Sequence, residues 1–98
     1  MVIVTHSSYP PESAEQMAKR FLEAPQAPDF MKRSGPFFTS STGGGITVLA
    51  LYELDNASLA EAMNFLGNYM ATYFGVPGFR YEVRPYFTVE EGLKMIGM

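Results

Sequence analysis

Charged and phenolic side chains alternate with apolar ones in the stretch from Phe79 to Phe87, near the C-terminal end of the chain. If this stretch is a β-strand, successive side chains point to opposite faces. One face then suits a core and carries Phe79, Tyr81, Val83 and Phe87. The other face carries Arg80, Glu82, Arg84 and Tyr86.

Because a guanidinium group offers a planar fork of donors to a carboxylate or phosphate, the second face is a candidate ligand-binding surface. An alternative is that Glu82 forms ion pairs with the two arginines, along the sheet or across a dimer interface.

His6 is the only histidine of the chain, and it follows a short run of β-branched residues that predicts a first strand. Histidine as a residue type can exchange a proton near neutral pH, so His6 is the one candidate catalytic residue. A lone histidine at a strand end is, however, more often structural or solvent-facing. Tyr52 and Tyr86 are candidate hydrogen-bonding partners of a ligand, although buried tyrosines usually bond to the protein itself.

Several other chemistries are disfavoured by what the chain contains. It has no cysteine and only two aspartates, so neither a thiolate site nor a carboxylate cluster for a metal is expected, and no cofactor is predicted. Gly43-Gly44-Gly45 precedes a strand-like stretch without a following lysine, which favours a hairpin over a phosphate-binding loop. A net charge of −3 makes nucleic acid an unexpected partner.

The order of elements predicts how these residues are positioned. The 98 residues allow one domain, covering residues 1–98. Strands are predicted at residues 2–6, 37–42 (an edge strand), 46–54 (an inner strand) and 79–87. Helices are predicted at residues 13–24 and from about 56 to 74, with a short C-terminal helix after Thr88. Capping residues are expected to be Ser13 with Gln16, Asp55 or Asn56, and Thr88 with Glu91.

This β-α-β-β-α-β order predicts an α+β protein in which two helices cover one face of a four-stranded antiparallel sheet, a ferredoxin-like arrangement. The strand at residues 46–54 has apolar side chains on both faces, so the uncovered face also receives large apolar residues such as Leu49 and Leu51. Leaving such a face in water costs free energy. We therefore expect a homodimer formed through the open sheet face.

Three stretches carry a resemblance to a known group of proteins: Val2-Ile3-Val4-Thr5, Leu51-Tyr52-Glu53-Leu54-Asp55, and Tyr81 to Glu91. Together with the element order, they make the chain resemble the dimeric α+β barrel superfamily, and within it an uncharacterised family of short bacterial proteins, a domain of unknown function. The resemblance implies two ferredoxin-like protomers packed sheet to sheet. It carries over no catalytic residue, because none of the superfamily's enzymatic motifs is present.

Three functional hypotheses follow. The first is a homodimer that binds a small apolar or acidic molecule between sheet and helices. The second is a cofactor-independent enzyme, similar to a monooxygenase or an isomerase, that would need His6 and Arg80 or Arg84 around one cavity. The third is a purely structural or regulatory partner protein. The chain starts without the features of a signal peptide and contains no membrane-length apolar run, so a cytoplasmic protein without membrane contact is expected.

Overall fold

The computed structural model describes all 98 residues and has the predicted element order. The strands are β1 (Val2–Tyr9), β2 (Lys32–Ser41), β3 (Gly45–Glu53) and β4 (Arg80–Tyr86). The helices are α1 (Ala14–Glu23), α2 (Leu59–Ala71) and α3 (Val89–Met95). All strand pairs are antiparallel, and the order across the sheet is β2-β3-β1-β4. The predicted α+β ferredoxin-like fold is therefore confirmed, as is the inner position of β3.

The edge strand β2 begins at Lys32, five positions before the predicted start. Its pairing with β3 shifts register between Ser34 and Phe37, at the Gly35-Pro36 pair. Proline lacks a backbone N–H, and an edge strand with an irregular register tolerates that loss. The Gly35-Pro36 pair is therefore an irregularity inside the edge strand.

The glycine triplet closes the hairpin between β2 and β3, as predicted. Gly45 has a φ of 72°, a left-handed conformation that favours glycine. A Cβ atom at this position would come within 2.7 Å of the Tyr9 carbonyl oxygen. Glycine is thus required here by the close approach of β1.

The main core lies between the sheet and α2. Ile3 and Tyr52 from the sheet pack with Ala62 and Leu66 from α2, and Ile3 and Leu66 are completely buried. Every second residue of β1 points to the helix-covered face with Ile3, and its partners on β3 and β4 point to that face as well. The opposite face of the sheet has no helix over it.

Hydrogen bonds to backbone carbonyls join α1 to the end of α2. The Arg20 guanidinium donates to the carbonyl oxygens of Thr72 (2.7 Å) and Phe74 (3.1 Å). The buried Ser13 hydroxyl donates to the carbonyl oxygen of Pro77 at 2.6 Å. Ser13 stands at the N-cap position of α1, but the predicted capping box with Gln16 does not form, because the Ser13 hydroxyl makes this long-range bond instead of a capping bond.

The other two predicted caps have opposite outcomes. Asp55 precedes a 3-10 turn at residues 56–58 and makes no side-chain capping bond, and Ser58 stands at the start of α2, so the prediction of Asp55 or Asn56 is wrong. The capping box at α3 is confirmed: the Thr88 hydroxyl accepts from the Glu91 backbone N–H, and the Glu91 carboxylate accepts from the Thr88 N–H. The Glu91 carboxylate also lies 2.9 Å from the N-terminal ammonium, which ties α3 to the start of β1.

Candidate functional site

A cavity of about 350 Å³ lies between the helix-covered face of the sheet and helices α1 and α2. Sixteen residues line it, and twelve of them are hydrophobic when the four tyrosines are included. The apolar part of the wall is made by Tyr9, Ala14, Met17, Ala18, Phe21, Pro36, Phe38, Val48, Ala50 and Met70. A cavity of this size and composition is typical of a site for a small organic molecule.

Small side chains in the sheet explain why the space between sheet and α1 is not filled. β1 and β3 pair Thr5 with Ala50 and Ser7 with Val48 on the face that points to the helices. These four side chains are too small to fill the gap between the sheet and the helices. The next pair along the strands, Ile3 and Tyr52, belongs to the main core. The cavity therefore begins where the residues of β1 and β3 change from large to small.

Polar side chains gather at one end of the cavity, which we call the polar corner and define as Thr5, Arg33, Tyr52, Tyr69 and Tyr73. The hydroxyl groups of Tyr69 and Tyr73 lie 2.9 Å apart, and both residues are buried. The phenol of Tyr52 is within reach of the Thr5 and Arg33 side chains. All five residues line the cavity.

Burial keeps the phenols of Tyr52 and Tyr73 protonated. Removal from water raises the pKa of Tyr73 well above its ordinary value of 10.0, and the hydrogen bond with Tyr69 raises it further. Burial likewise raises the pKa of Tyr52, and the nearby positive charge of Arg33 only partly offsets this effect. These phenols are hydrogen-bonding groups near neutral pH and not proton-abstracting bases.

Exposed aromatic side chains mark the opening of the cavity. Phe38 on β2 is 78% exposed and Phe21 on α1 is 42% exposed, yet both line the cavity. Large apolar side chains in such positions gain contacts when a ligand covers them.

The structure separates the candidate residues that were predicted from the sequence. Tyr52 lines the cavity. The alternation predicted for β4 places Arg80, Glu82, Arg84 and Tyr86 on the open sheet face, opposite β1 residues of that same face. His6 also lies on the open face, between Leu49 of β3 and Glu82 of β4. It is exposed and does not line the cavity.

No ion pair of the chain engages the charged residues of β4. The only two ion pairs are Met1 ammonium–Glu91 and Lys19–Glu15. Glu82 therefore does not pair with Arg80 or Arg84 along the sheet, and its pairing across a dimer interface stays a prediction.

A second, more polar cavity of about 420 Å³ lies beside the glycine hairpin. Its wall includes Arg80, Ser8 and the triplet Gly43-Gly44-Gly45. Among the β4 candidates, Arg80 borders this cavity, whereas Glu82, Arg84 and Tyr86 line neither of the two cavities. His6 lies outside this cavity as well.

Arg33, Tyr69 and Tyr73 are site residues that sequence reasoning missed. Arg33 precedes the predicted start of β2, so the sequence did not indicate on which face of the sheet its side chain lies. Tyr69 lies near the end of α2, and Tyr73 follows it by one helical turn. The spacing of two tyrosines by four residues on an amphipathic helix is the signal that would have placed both phenols together.

Comparison of the chain with protein-family models and with curated proteins found no match. No group of three His, Asp or Glu side chains lies close enough to hold a metal ion. None of the three helices combines the length and the apolar character needed to cross a bilayer. The fold and the cavity are therefore the observations from which a function has to be inferred.

Proposed function

We propose that this protein is a homodimer that binds a small, largely apolar molecule in the cavity between the sheet and helices α1 and α2. The observation that carries the proposal is the cavity itself, whose wall is apolar except for a few convergent polar groups. The small residues of β1 and β3 support it, because they leave unfilled a space that a larger residue could close.

Binding is favoured over catalysis by the chemistry of the cavity wall. The enzymatic alternative needs His6 and an arginine of β4 around one cavity, and neither His6 nor Arg80 nor Arg84 lines this one. The Tyr52 and Tyr73 phenols, which line it, are held protonated by burial. The wall therefore offers groups that orient a molecule and no group suited to remove a proton from it.

The proposed dimer forms through the open sheet face. Phe37 and Leu49 are 58% and 37% exposed there, and they lie beside Val4 and Leu51, which are half-buried. A second copy would remove this apolar stripe from water. Across a two-fold axis, Glu82 of one subunit would find arginine partners that it lacks within its own subunit.

Membership of the dimeric α+β barrel superfamily is part of this proposal. The ferredoxin-like protomer and the apolar open face support it. The cytoplasmic location expected from the sequence stays a prediction.

Titration with N-phenyl-1-naphthylamine, a neutral dye whose fluorescence rises in apolar surroundings, tests the binding site. We expect saturable binding to the natural protein and at least a tenfold weaker binding to Val48→Phe and to Ala18→Trp, each of which places a large ring in the cavity. Leu22→Trp is the matched control, because Leu22 lies on α1 with Ala18 but is 82% exposed and does not line the cavity. Its binding should stay within twofold of the natural protein.

Two results would contradict the proposed site. Absence of saturable binding to the natural protein would favour the purely structural alternative. Equal binding to the natural protein and to both cavity variants would place the dye elsewhere. The dimer is tested separately by light scattering at micromolar concentration, where we expect twice the 10.9 kDa mass of the chain.

A further inference from the structure

We propose that the ligand of this cavity is a small organic acid whose anionic group binds Arg33 and the phenols of Tyr52 and Tyr73 in the polar corner. This inference rests on the proposed function and specifies the class of molecule that the cavity takes. An apolar body would occupy the space beside Ala50 and Val48, and a carboxylate or sulfonate would face the guanidinium.

The charge of the cavity wall is the first argument. Arg33 is the only charged residue among the sixteen that line the cavity, although the chain as a whole carries a net charge of −3. Neither of the two ion pairs of the protein includes Arg33. A cation without a protein carboxylate at the edge of an apolar space favours an anion and repels a cationic ligand.

The position of Arg33 is the second argument. Arg33 lies directly opposite Tyr52 in the pairing of β2 with β3, on the face that points to the helices. Its positive charge lowers the pKa of both Tyr52 and Tyr73 against the effect of burial, so its guanidinium lies near both phenols. Arg33 itself is exposed, and it can therefore reach a ligand that enters beside Phe38.

The protonation state of the phenols is the third argument. A carboxylate or sulfonate group only accepts hydrogen bonds, and it needs donors on several sides. Tyrosines that stay protonated can donate to it, as the guanidinium does with its fork of N–H groups. The polar corner thus combines donors and positive charge without any acidic side chain.

A matched pair of dyes tests the inference. N-phenyl-1-naphthylamine and 8-anilino-1-naphthalenesulfonate share one skeleton and differ by a sulfonate group. We expect Arg33→Met to raise the dissociation constant of the sulfonate dye about tenfold or more, as for the loss of a hydrogen bond to a charged group, and that of the neutral dye by less than twofold. Lys32→Met is the control, since it removes the same charge one residue earlier, on the opposite face of β2, and should change neither constant by more than twofold.

The outcomes distinguish the inference from the function on which it rests. If Arg33→Met weakens both dyes equally or neither, while Val48→Phe and Ala18→Trp abolish binding of both, the cavity binds apolar molecules without a preference for acids and the inference is overturned. If Lys32→Met weakens the sulfonate dye as much as Arg33→Met does, the effect comes from general charge and the polar corner is not the anion site. If neither cavity-filling variant affects either dye, the proposed function fails first and takes the inference with it.

Discussion

The hydroxyl pair of Tyr69 and Tyr73 allows a quantitative test of the site's architecture. In Tyr73→Phe the ring would keep its packing, because its centroid lies 5.5 Å from the Tyr69 ring and 5.4 Å from the Phe79 ring. What is lost is one hydrogen bond of 2.9 Å between two buried hydroxyl groups. The substitution thus isolates the polar interaction from the packing.

The expected cost follows from the burial of both partners. A net hydrogen bond contributes about 1 kcal/mol, and a buried hydroxyl left without a partner adds a desolvation penalty of about 1–3 kcal/mol. Since the Tyr69 hydroxyl borders the cavity, where water can reach it, the penalty falls at the low end. We expect Tyr73→Phe to lower the free energy of unfolding by roughly 1–2 kcal/mol.

The double variant Tyr69→Phe/Tyr73→Phe separates the bond from the unpaired group. With both hydroxyls absent no buried donor is left without a partner, so the double variant should be destabilised by less than the sum of the two single variants. The assay is urea unfolding at one fixed protein concentration, because the stability of a dimer depends on concentration. Unchanged stability of Tyr73→Phe, or strict additivity of the two substitutions, would refute the reasoning.

Two further predictions concern the open sheet face and the C-terminal helix. Leu51→Lys places a charge in the apolar stripe of the open face and should convert the dimer to a monomer, as measured by light scattering. Leu22→Lys, on the exposed side of α1, is the control and should leave the dimer intact. A dimer that survives Leu51→Lys would contradict the proposed interface. The hydrogen bond from the Thr88 backbone, with the N-terminal ammonium and Asn56, lowers the pKa of Glu91 from 4.5 to about 2. A carboxylate whose pKa is lower in the folded state stabilises the fold at pH values above its unfolded pKa, and this stabilisation is lost as the pH falls from about 4.5 towards 2. Glu91→Gln should therefore flatten the fall in melting temperature over this pH range, whereas Glu90→Gln should not. Equal pH profiles for the two variants would count against the capping box.

The element order was predictable because each element carries a local signal. The helical spacing of Ala14, Met17 and Phe21 and the β-branched run at the start of the chain require no tertiary information. Thr88 and Glu91 belong to the same category, since a capping box is a contact between residues three positions apart. These features were predicted and are confirmed.

The polar corner could not be predicted, because it depends on contacts between distant parts of the chain. The face on which Arg33 lies is set by the irregular pairing around Gly35-Pro36, and no local pattern specifies that register. Ser13 illustrates the same limit: its sequence context suits a helix cap, but the folded chain brings the carbonyl oxygen of Pro77 to its hydroxyl. By contrast, the sequence correctly predicted which side chains of β4 share a face, because alternation along a strand is a local property. Their position relative to the cavity depends on the tertiary fold.

The cavity as the binding site is tested most directly by NMR of the protein with ¹³C-labelled methionine methyl groups. Of the seven methionines, only Met17 and Met70 line the cavity. We predict that N-phenyl-1-naphthylamine shifts the methyl signals of Met17 and Met70 in a saturable manner and leaves those of Met95 and Met98, on the exposed C-terminal segment, unchanged. Shifts confined to Met95 and Met98, with Met17 and Met70 unmoved at saturation, would contradict binding between the sheet and the helices.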